Sequence, residues 1–508
     1  MHDRHHRFFP ALVLLPLTIL CAPAVHGQTM PAVAQVLQME QGSAAFGSQV
    51  AGVGDVNGDG FGDLLVGAPG CDQGHTDEGC AYLYFGSPAG FPASPSWSAE
   101  GDAAGLGFGA GVAAAGDVDG DGYDDILILA SGYGKGHIQE GRVFLYLGSA
   151  TGPGSREDWK METNVDNAGP SLSLAGSADL NNDGYAEILI GNPLFSNGQA
   201  SEGGVMIYTG SDTGPGRDPT WVLESNVENA YFGSAVAAAG DVNGDNYGDV
   251  IIGAPAYYAS GFNRGAALLF QGSASGPGSA ADWIYWNMTG LPFSAYASQV
   301  AGAGDVNGDG YDDVIVGTPG YTNSEIIHIG LVDYFPGSDT GLPPAPAWSL
   351  SSTVQHDQWG LALCGIGDMN GDGYDDILFT GQPVMGLSGQ AFLHLGSADG
   401  PQDLPSWQHA SPPNEDRYGD TVSGLGDVDG DGLLDWAVGA PMADEPDVDE
   451  GKAVVYRACT ETDLDGVCDS LDNCVTTVNA GQENGDDDAR GDACDCAAGD
   501  PGLWSVPG

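Results

Sequence analysis

Seven times the chain writes a nine-residue stretch in which oxygen-bearing side chains alternate with glycine and apolar residues. The first copy is "DVNGDGFGD", Asp55 to Asp63. Counted from its first Asp, carboxylates or amides stand at positions one, three, five and nine, and position seven offers a backbone carbonyl. This donor set suits calcium, a hard cation that takes about six to eight oxygens. The thiolate and imidazole donors that select zinc or copper are missing from the stretch. Magnesium dehydrates reluctantly and demands tighter geometry. Gly58 and Gly60 permit the sharp bend between donors.

The expected ligands of the first copy are Asp55, Asn57, Asp59, the Phe61 carbonyl and Asp63. In the second they are Asp117, Asp119, Asp121, Tyr123 and Asp125; in the third, Asp179, Asn181, Asp183, Tyr185 and Glu187. The fourth offers Asp241, Asn243, Asp245, Tyr247 and Asp249, and the fifth Asp305, Asn307, Asp309, Tyr311 and Asp313. The sixth offers Asp368, Asn370, Asp372, Tyr374 and Asp376, and the seventh Asp427, Asp429, Asp431, Leu433 and Asp435. The acidic side chains in these sets carry 23 negative charges, which repel one another until cations arrive. Extracellular calcium modules bind with Kd of about 10⁻⁴ to 10⁻³ M. At about tenfold excess each occupied site adds about 1.4 kcal/mol to folding, so seven add on the order of 10 kcal/mol. The loop is not a full EF-hand, because strand residues replace its twelfth-position Glu and second helix.

The elements around these loops are short strands. The first Asp of each copy recurs at spacings of 62, 62, 62, 64, 63 and 59 residues, the mark of a repeat architecture. Each unit has a small-residue strand such as "SQVAGVGDV", the acidic loop, and an apolar strand such as "DLLVGAP". A variable loop follows, then a third strand such as "AYLYFGS" and a strand headed by tryptophan. Four-stranded units repeated radially make a β-propeller. The expected fold is therefore all-β, a seven-bladed propeller over residues 32–458, with the Ala/Gly-rich first strand innermost. There are seven acidic loops but six tryptophan strands, at Trp97, Trp159, Trp221, Trp283, Trp348 and Trp407. The seventh unit stops at "AVVYRA", and an orphan segment, Ala32 to Glu40, precedes the first. That segment is expected to supply the missing outer strand and close the ring.

Composition narrows the function. The chain has 70 acidic and 12 basic residues among 508, a formal charge of −58, so it has no basic footprint for nucleic acid. Residues 1–27 read as a secretory signal peptide, with Arg4 and Arg7 before the apolar run Phe8 to Leu20 and cleavage after Ala24 or Gly27. No later segment is long and apolar enough to span a bilayer as a helix. The implied location is secreted, periplasmic or cell-surface. Clustered cysteines in an exported chain imply disulfides: Cys71 and Cys80 bracket one loop, and Cys459, Cys468, Cys474, Cys494 and Cys496 crowd the tail. Cys364 stands alone as a small buried residue.

"FGSQVAGVGDVNGDGFGDLLVGAP" resembles the FG-GAP repeat of integrin α-subunit propellers. Phe46-Gly47, Phe108-Gly109, Phe232-Gly233, Trp359-Gly360 and Tyr418-Gly419 fill its first motif. Gly67-Ala68-Pro69, Gly253-Ala254-Pro255 and Gly439-Ala440-Pro441 fill its second. The third unit departs, with "AGPSLSLAGSADL" and Gly191-Asn192-Pro193. Integrins carry calcium in some blades; seven full loops look more like the secreted bacterial members. From Cys459 onward the composition changes, and residues 459–508 resemble a thrombospondin type 3 calcium repeat. That resemblance implies ligands at Asp463, Asp465, Asp469 and Asp472 and at Asp486, Asp488 and Asp492, and a Cys474–Cys494 disulfide. Val475 and Asn484 depart from its pattern. Arg490-Gly491-Asp492 spells an integrin-binding tripeptide, two of whose residues the repeat already requires.

No HExxH, GxSxG or phosphate-loop motif occurs. Past the signal region and His26, six histidines are scattered across the blades, and they are expected at surfaces. The leading expectation is a calcium-stabilised extracellular binding or adhesion module whose partner is a protein or a glycan. A polysaccharide-acting enzyme on a propeller scaffold and a carbohydrate-binding lectin are the alternatives. Ligand contacts are expected opposite the acidic loops. Candidates are Tyr257, Tyr258, Phe262 and Arg264 in "AYYASGFNR" and Tyr133, Lys135 and His137 in "SGYGKGHIQE".

Overall fold

Each repeat folds as four antiparallel strands laid side by side in sequence order. In the computed structural model blade one comprises Gln49–Gly52, Leu64–Ala68, Cys80–Tyr84 and Trp97–Glu100. Its register runs Val50 to Val66 to Tyr82 to Ser98. The second strand is apolar throughout and buried at every residue, because both of its faces meet a neighbouring blade. The outer strand alternates half-buried and exposed residues, as a rim strand with one wet face must.

Seven such sheets form the ring. The inner strands touch in sequence, from Gln49–Gly52 through Phe108–Gly116, Ser173–Gly176, Ala235–Gly240, Gln299–Gly304 and Leu363–Gly367 to Thr421–Gly426, which returns to the first. Gly and Ala fill these strands where the blades crowd the axis. A cavity of about 240 Å³ at their N-terminal ends is lined by Gln49, Ser173, Ser234 and Gln299. Closure follows the expected route: Gln28–Gln38 lies outermost in blade seven, beside Lys452–Glu461, Asp435–Ala440 and Thr421–Gly426.

The structure describes residues 28–461 apart from 177–178, 260, 288–293, 324–325, 383–388, 412–414 and 445–447. Met30–Cys459 make one compact unit. The signal peptide, the tail ligands and the Cys474–Cys494 pairing lie outside the described residues.

The core is seven seams rather than one interior. Every hydrophobic cluster is shared by two adjacent blades: Val53, Leu65 and Leu83 of blade one with Phe108, Ile126 and Ile128 of blade two, and so on to Leu425 and Val455 against Phe46 and Val66. Fully burying one such side chain contributes about 1.5–3 kcal/mol. The "FG" aromatics pin these seams. Phe46, Phe108, Phe232, Tyr296 and Trp359 each make a parallel bridge to a glycine of the preceding blade, as Phe108 does to Gly79. Gly79 sits at φ +79°, and a Cβ there would lie 2.2 Å from the Phe108 carbonyl oxygen, so the motif requires glycine. The third blade replaces its aromatic with a 3₁₀ turn, Gly169–Ser171.

Two expectations need correction. His394 is not at the surface: it is fully buried, its Nδ1 2.7 Å from the Gln402 carbonyl, because its strand position faces the preceding blade. Cys364 is only half-buried by its neighbours, although burial pushes its thiol up to about 12. Cys71 and Cys80 form a disulfide.

Deleting Gln28–Gln38 would leave the Lys452–Glu461 edge unpaired. The truncated chain should melt several degrees lower and self-associate with concentration in light scattering. A monomer with an unchanged melting point would contradict closure by this strand.

Candidate metal centres

Each acidic loop joins the first and second strands of its blade, so antiparallel order places all seven on one face. The loops curl around their own side chains. In the first, Asp55 accepts the Asp59 and Gly60 N–H groups at 3.0 and 2.7 Å, Asn57 accepts Asp59 N–H at 2.9 Å, and Asp59 accepts Phe61 N–H at 3.1 Å. Asp305, Asn307 and Asp309 repeat this in the fifth loop, and Asp368, Asn370 and Asp372 in the sixth. The result is a turn in which alternate side chains converge. The apolar residue at position two, such as Val56 or Val306, is buried and anchors the turn to the blade.

Position nine is different in kind. Asp63 is fully buried, and its two oxygens accept Val56 N–H at 3.0 Å and Gly86 N–H at 2.9 Å. It thereby ties the acidic loop to the end of the third strand. Asp125, Asp249, Asp313, Asp376 and Asp435 repeat this pair of bonds. Glu187 keeps the bond to Leu180 N–H at 2.7 Å. Burial raises these carboxyls against the pull of the N–H groups: Asp63, Asp125, Asp249, Asp313 and Asp376 to about 7, Asp435 to about 8.

The residues fit a calcium ion. Three loops bring three carboxylates within 4.8 Å of one another: Asp117, Asp119 and Asp125; Asp179, Asp183 and Glu187; Asp427, Asp429 and Asp435. In the third loop the Asn181 Oδ1 is buried without a hydrogen-bond partner, an acceptor that a cation would satisfy. In loops one, four, five and six position three is Asn, and in the first its Nδ2 donates to Asp59 Oδ2 at 2.9 Å. The seventh loop has an internal cation as well: the Arg457 guanidinium donates to Asp429 Oδ2 at 2.6 Å.

The loops are also wired to one another, which reading the copies separately did not reveal. The position-eight N–H of one blade donates to the position-one carbonyl of the preceding blade, as Asp124 to Asp55, Ala186 to Asp117, Gly248 to Asp179 and Asp312 to Asp241. Where position eight is Asp, its side chain reaches back too. Asp124, Asp312 and Asp375 accept the N–H groups of Asp55, Asp241 and Asp305 at 2.8, 2.7 and 2.8 Å. The position-seven ring covers the position-four glycine of the preceding loop: a Cβ on Gly58 would lie 2.5 Å from the Tyr123 ring, and one on Gly430 2.7 Å from Phe61. The signal was present in the sequence as "YDD" in copies two, five and six and an aromatic in six copies, but nothing local says that these residues serve the neighbour.

On the opposite face, Tyr258 and Phe262 are exposed, in a two-stranded hairpin Tyr258–Ala259 and Phe262–Asn263. The Arg264 guanidinium lies 5.4 Å from the Phe262 ring, while Tyr257 packs into a seam. In blade two, Tyr133 sits under Arg142, which also pairs with Glu162, and His137 meets Asp166 at 3.2 Å.

The FG-GAP repeat profile matches residues 46–84, 232–270 and 296–329, and an FG-GAP-like repeat matches 117–190. Integrin alpha-PS3 of Drosophila melanogaster is 32% identical over 233 residues, 44% of this chain and 20% of that protein. A phosphatidylinositol-glycan-specific phospholipase D of Dictyostelium discoideum is 28% identical, over 55% of this chain and 32% of that protein. The chain thus spans about a fifth of the length of the integrin relatives it matches. A solved rhamnogalacturonan lyase of Bacillus licheniformis superposes with a TM-score of 0.43 at 12% identity, covering 83% of this chain and 75% of that one.

Two outcomes follow from the loop geometry. The position-nine carboxyls titrate higher folded than at the ordinary 3.8, so the folded metal-free chain holds protons that the unfolded chain releases. Their contribution to stability is full near pH 4 and lost as pH rises through about 7; in chelator the protein should melt higher at pH 5 than at pH 8. Calcium competes with those protons, so its affinity by calorimetry should rise over the same interval. A metal-free melting point that climbs from pH 5 to pH 8 would contradict the buried carboxyls.

Asp312→Ala gives the fifth loop the residue that the third carries at Ala186. It should cost about 1–2 kcal/mol by denaturation at saturating calcium, through the uncapped Asp241 N–H of blade four. A neutral result would show that the side chain does not couple the blades.

Proposed function

We propose that this FG-GAP-repeat propeller is an extracellular binding module held rigid by calcium on one face and presenting its ligand surface on the other. The observation that carries the reading is the seven-fold recurrence of one oxygen-donor loop, joined blade to blade by backbone hydrogen bonds. When bound, calcium supplies positive charge to loops whose ionised ligands are all carboxylates. The chain's own residues do the rest: positions one, three, five and nine and the position-seven carbonyl would hold the ion, position nine also anchors the loop, and the position-seven ring and position eight join it to its neighbour. The Cys71–Cys80 disulfide supports an oxidising location.

Topology supports this choice of ligand face. Loops between strands two and three, and between four and one, emerge opposite the calcium loops and differ most among the copies. The exposed pair Tyr258 and Phe262, with Arg264 beside them, is the contact region this reading favours for a protein or a glycan.

Metal analysis after removal of loosely held ions should find about seven calcium ions per propeller, from one site per loop. Two or fewer would overturn the reading. Replacing Tyr258 and Phe262 by Ala should abolish capture in a glycan and extracellular-protein binding screen while shifting the melting point by no more than about 1 °C. Retained binding would move the ligand site elsewhere, and unfolding would make the hairpin structural.

A further inference from the structure

Repeat geometry sets two left-handed residues side by side on the face opposite the acidic loops. One lies two residues before the glycine that opens the third strand; the other lies just ahead of the next blade's aromatic motif. In blade two they are Gln139 and Asn167, at φ 46° and 61°, and in blade three Ser201 and Asn229, at 44° and 56°. Two backbone hydrogen bonds hold each pair together: Asn167 N–H to the Ile138 carbonyl and Gly169 N–H to the Gln139 carbonyl, with the same ladder in blade three. Side chains that tolerate positive φ are few, mainly Asn, Asp and His beside glycine. Blade five fills both places with histidine.

There His328 and His356 stand at φ 51° and 67°, on loops joined by His356 N–H to the Ile327 carbonyl and Gln358 N–H to the His328 carbonyl, both 3.2 Å. Their rings are 5.4 Å apart between centroids at 73°. The His356 Nδ1 is buried and has no hydrogen-bond partner, while its Nε2 lies 3.1 Å from the Gln355 side-chain amide. We propose that this pair is a transition-metal site, chemically separate from the calcium loops, that takes a borderline divalent cation such as zinc, nickel or copper(II).

The chemistry fits in three ways. Imidazole nitrogen selects these ions, whereas calcium prefers oxygen. Metal–nitrogen bonds of about 2.0–2.1 Å to a tetrahedral ion put two imidazole centroids about 5 Å apart, close to the observed separation. With the Gln355 amide turned to present its oxygen, Nε2–H of His356 donates to it and Nδ1 is left as a lone pair with no donor, the arrangement of a metal-bound histidine. Two protein ligands leave coordination positions for water or for a donor from a bound partner.

The test is zinc binding by the full chain in about 10 mM calcium, which keeps the acidic loops occupied. The wild type should bind one zinc ion at micromolar concentration. His356→Asn and His328→Gln install residues that blades two and three already place at these points, so the backbone is kept. Each should weaken zinc at least tenfold, with calcium content and calcium-loaded melting point unchanged. Copper(II) should give a nitrogen-ligated electron paramagnetic resonance signal that both variants lose. Zinc binding unchanged in the variants would assign the ion to the acidic loops. No zinc binding by the wild type would leave only an edge-to-face ring contact. Either result overturns the proposal. A variant that loses calcium or melts lower is replaced by the other single variant, whose zinc affinity then decides.

Discussion

Every blade buries a carboxylate, and the ring is built around that constraint. Position nine cannot be given up, because its two oxygens hold the acidic loop to the end of the third strand, as Asp63 does through Val56 and Gly86. Yet an ionised carboxylate removed from water costs several kcal/mol unless a positive charge compensates it. The chain has 12 basic residues against 70 acidic ones, and among the described residues Arg457 is the guanidinium paired with a loop carboxylate. Compensation must come from solution, as protons or as cations. The fold therefore couples its stability to the ionic medium seven times over.

The wiring between loops turns seven local problems into a shared one. A propeller blade has no core of its own; each hydrophobic seam belongs to two blades. On the acidic face the same sharing is polar. The position-eight N–H reaches the preceding blade's position-one carbonyl, and the serine after the third strand reaches its position-two carbonyl, as Ser149 does Val56 and Ser211 does Val118. Tryptophans at the rim add a third tie: Trp97 and Trp159 donate to carbonyls of Gly154 and Gly216 in the next blade. A loop that straightens without its cation must disturb the neighbour it supports.

Much of this was legible in the sequence, for a physical reason. Strand period, turn glycines and a 62-residue spacing are local signals, and they placed the blades, the inner strands and the closing strand. Closure needed only arithmetic, since six tryptophan strands cannot finish seven blades. What escaped were contacts between copies. Nothing local marks Asp124 as the residue that caps Asp55, and Tyr123, expected as a carbonyl donor, also lays its ring over Gly58. His394 was misplaced for the same cause: its side of the strand is decided by the preceding blade, where Trp348 packs against it. His328 and His356 are 28 positions apart in the sequence and adjacent only because two left-handed turns meet.

The central claim is that these buried and crowded carboxylates are held by calcium rather than tolerated without it. Thermal melting of the propeller in calcium and in excess chelator, at one pH above the range where position nine protonates, tests it most directly. With seven sites at about 1.4 kcal/mol each and an unfolding entropy of roughly 2 cal/mol/K per residue, the melting point should fall by about 10 °C in chelator and return when calcium is restored. Coincident melting curves would contradict the account.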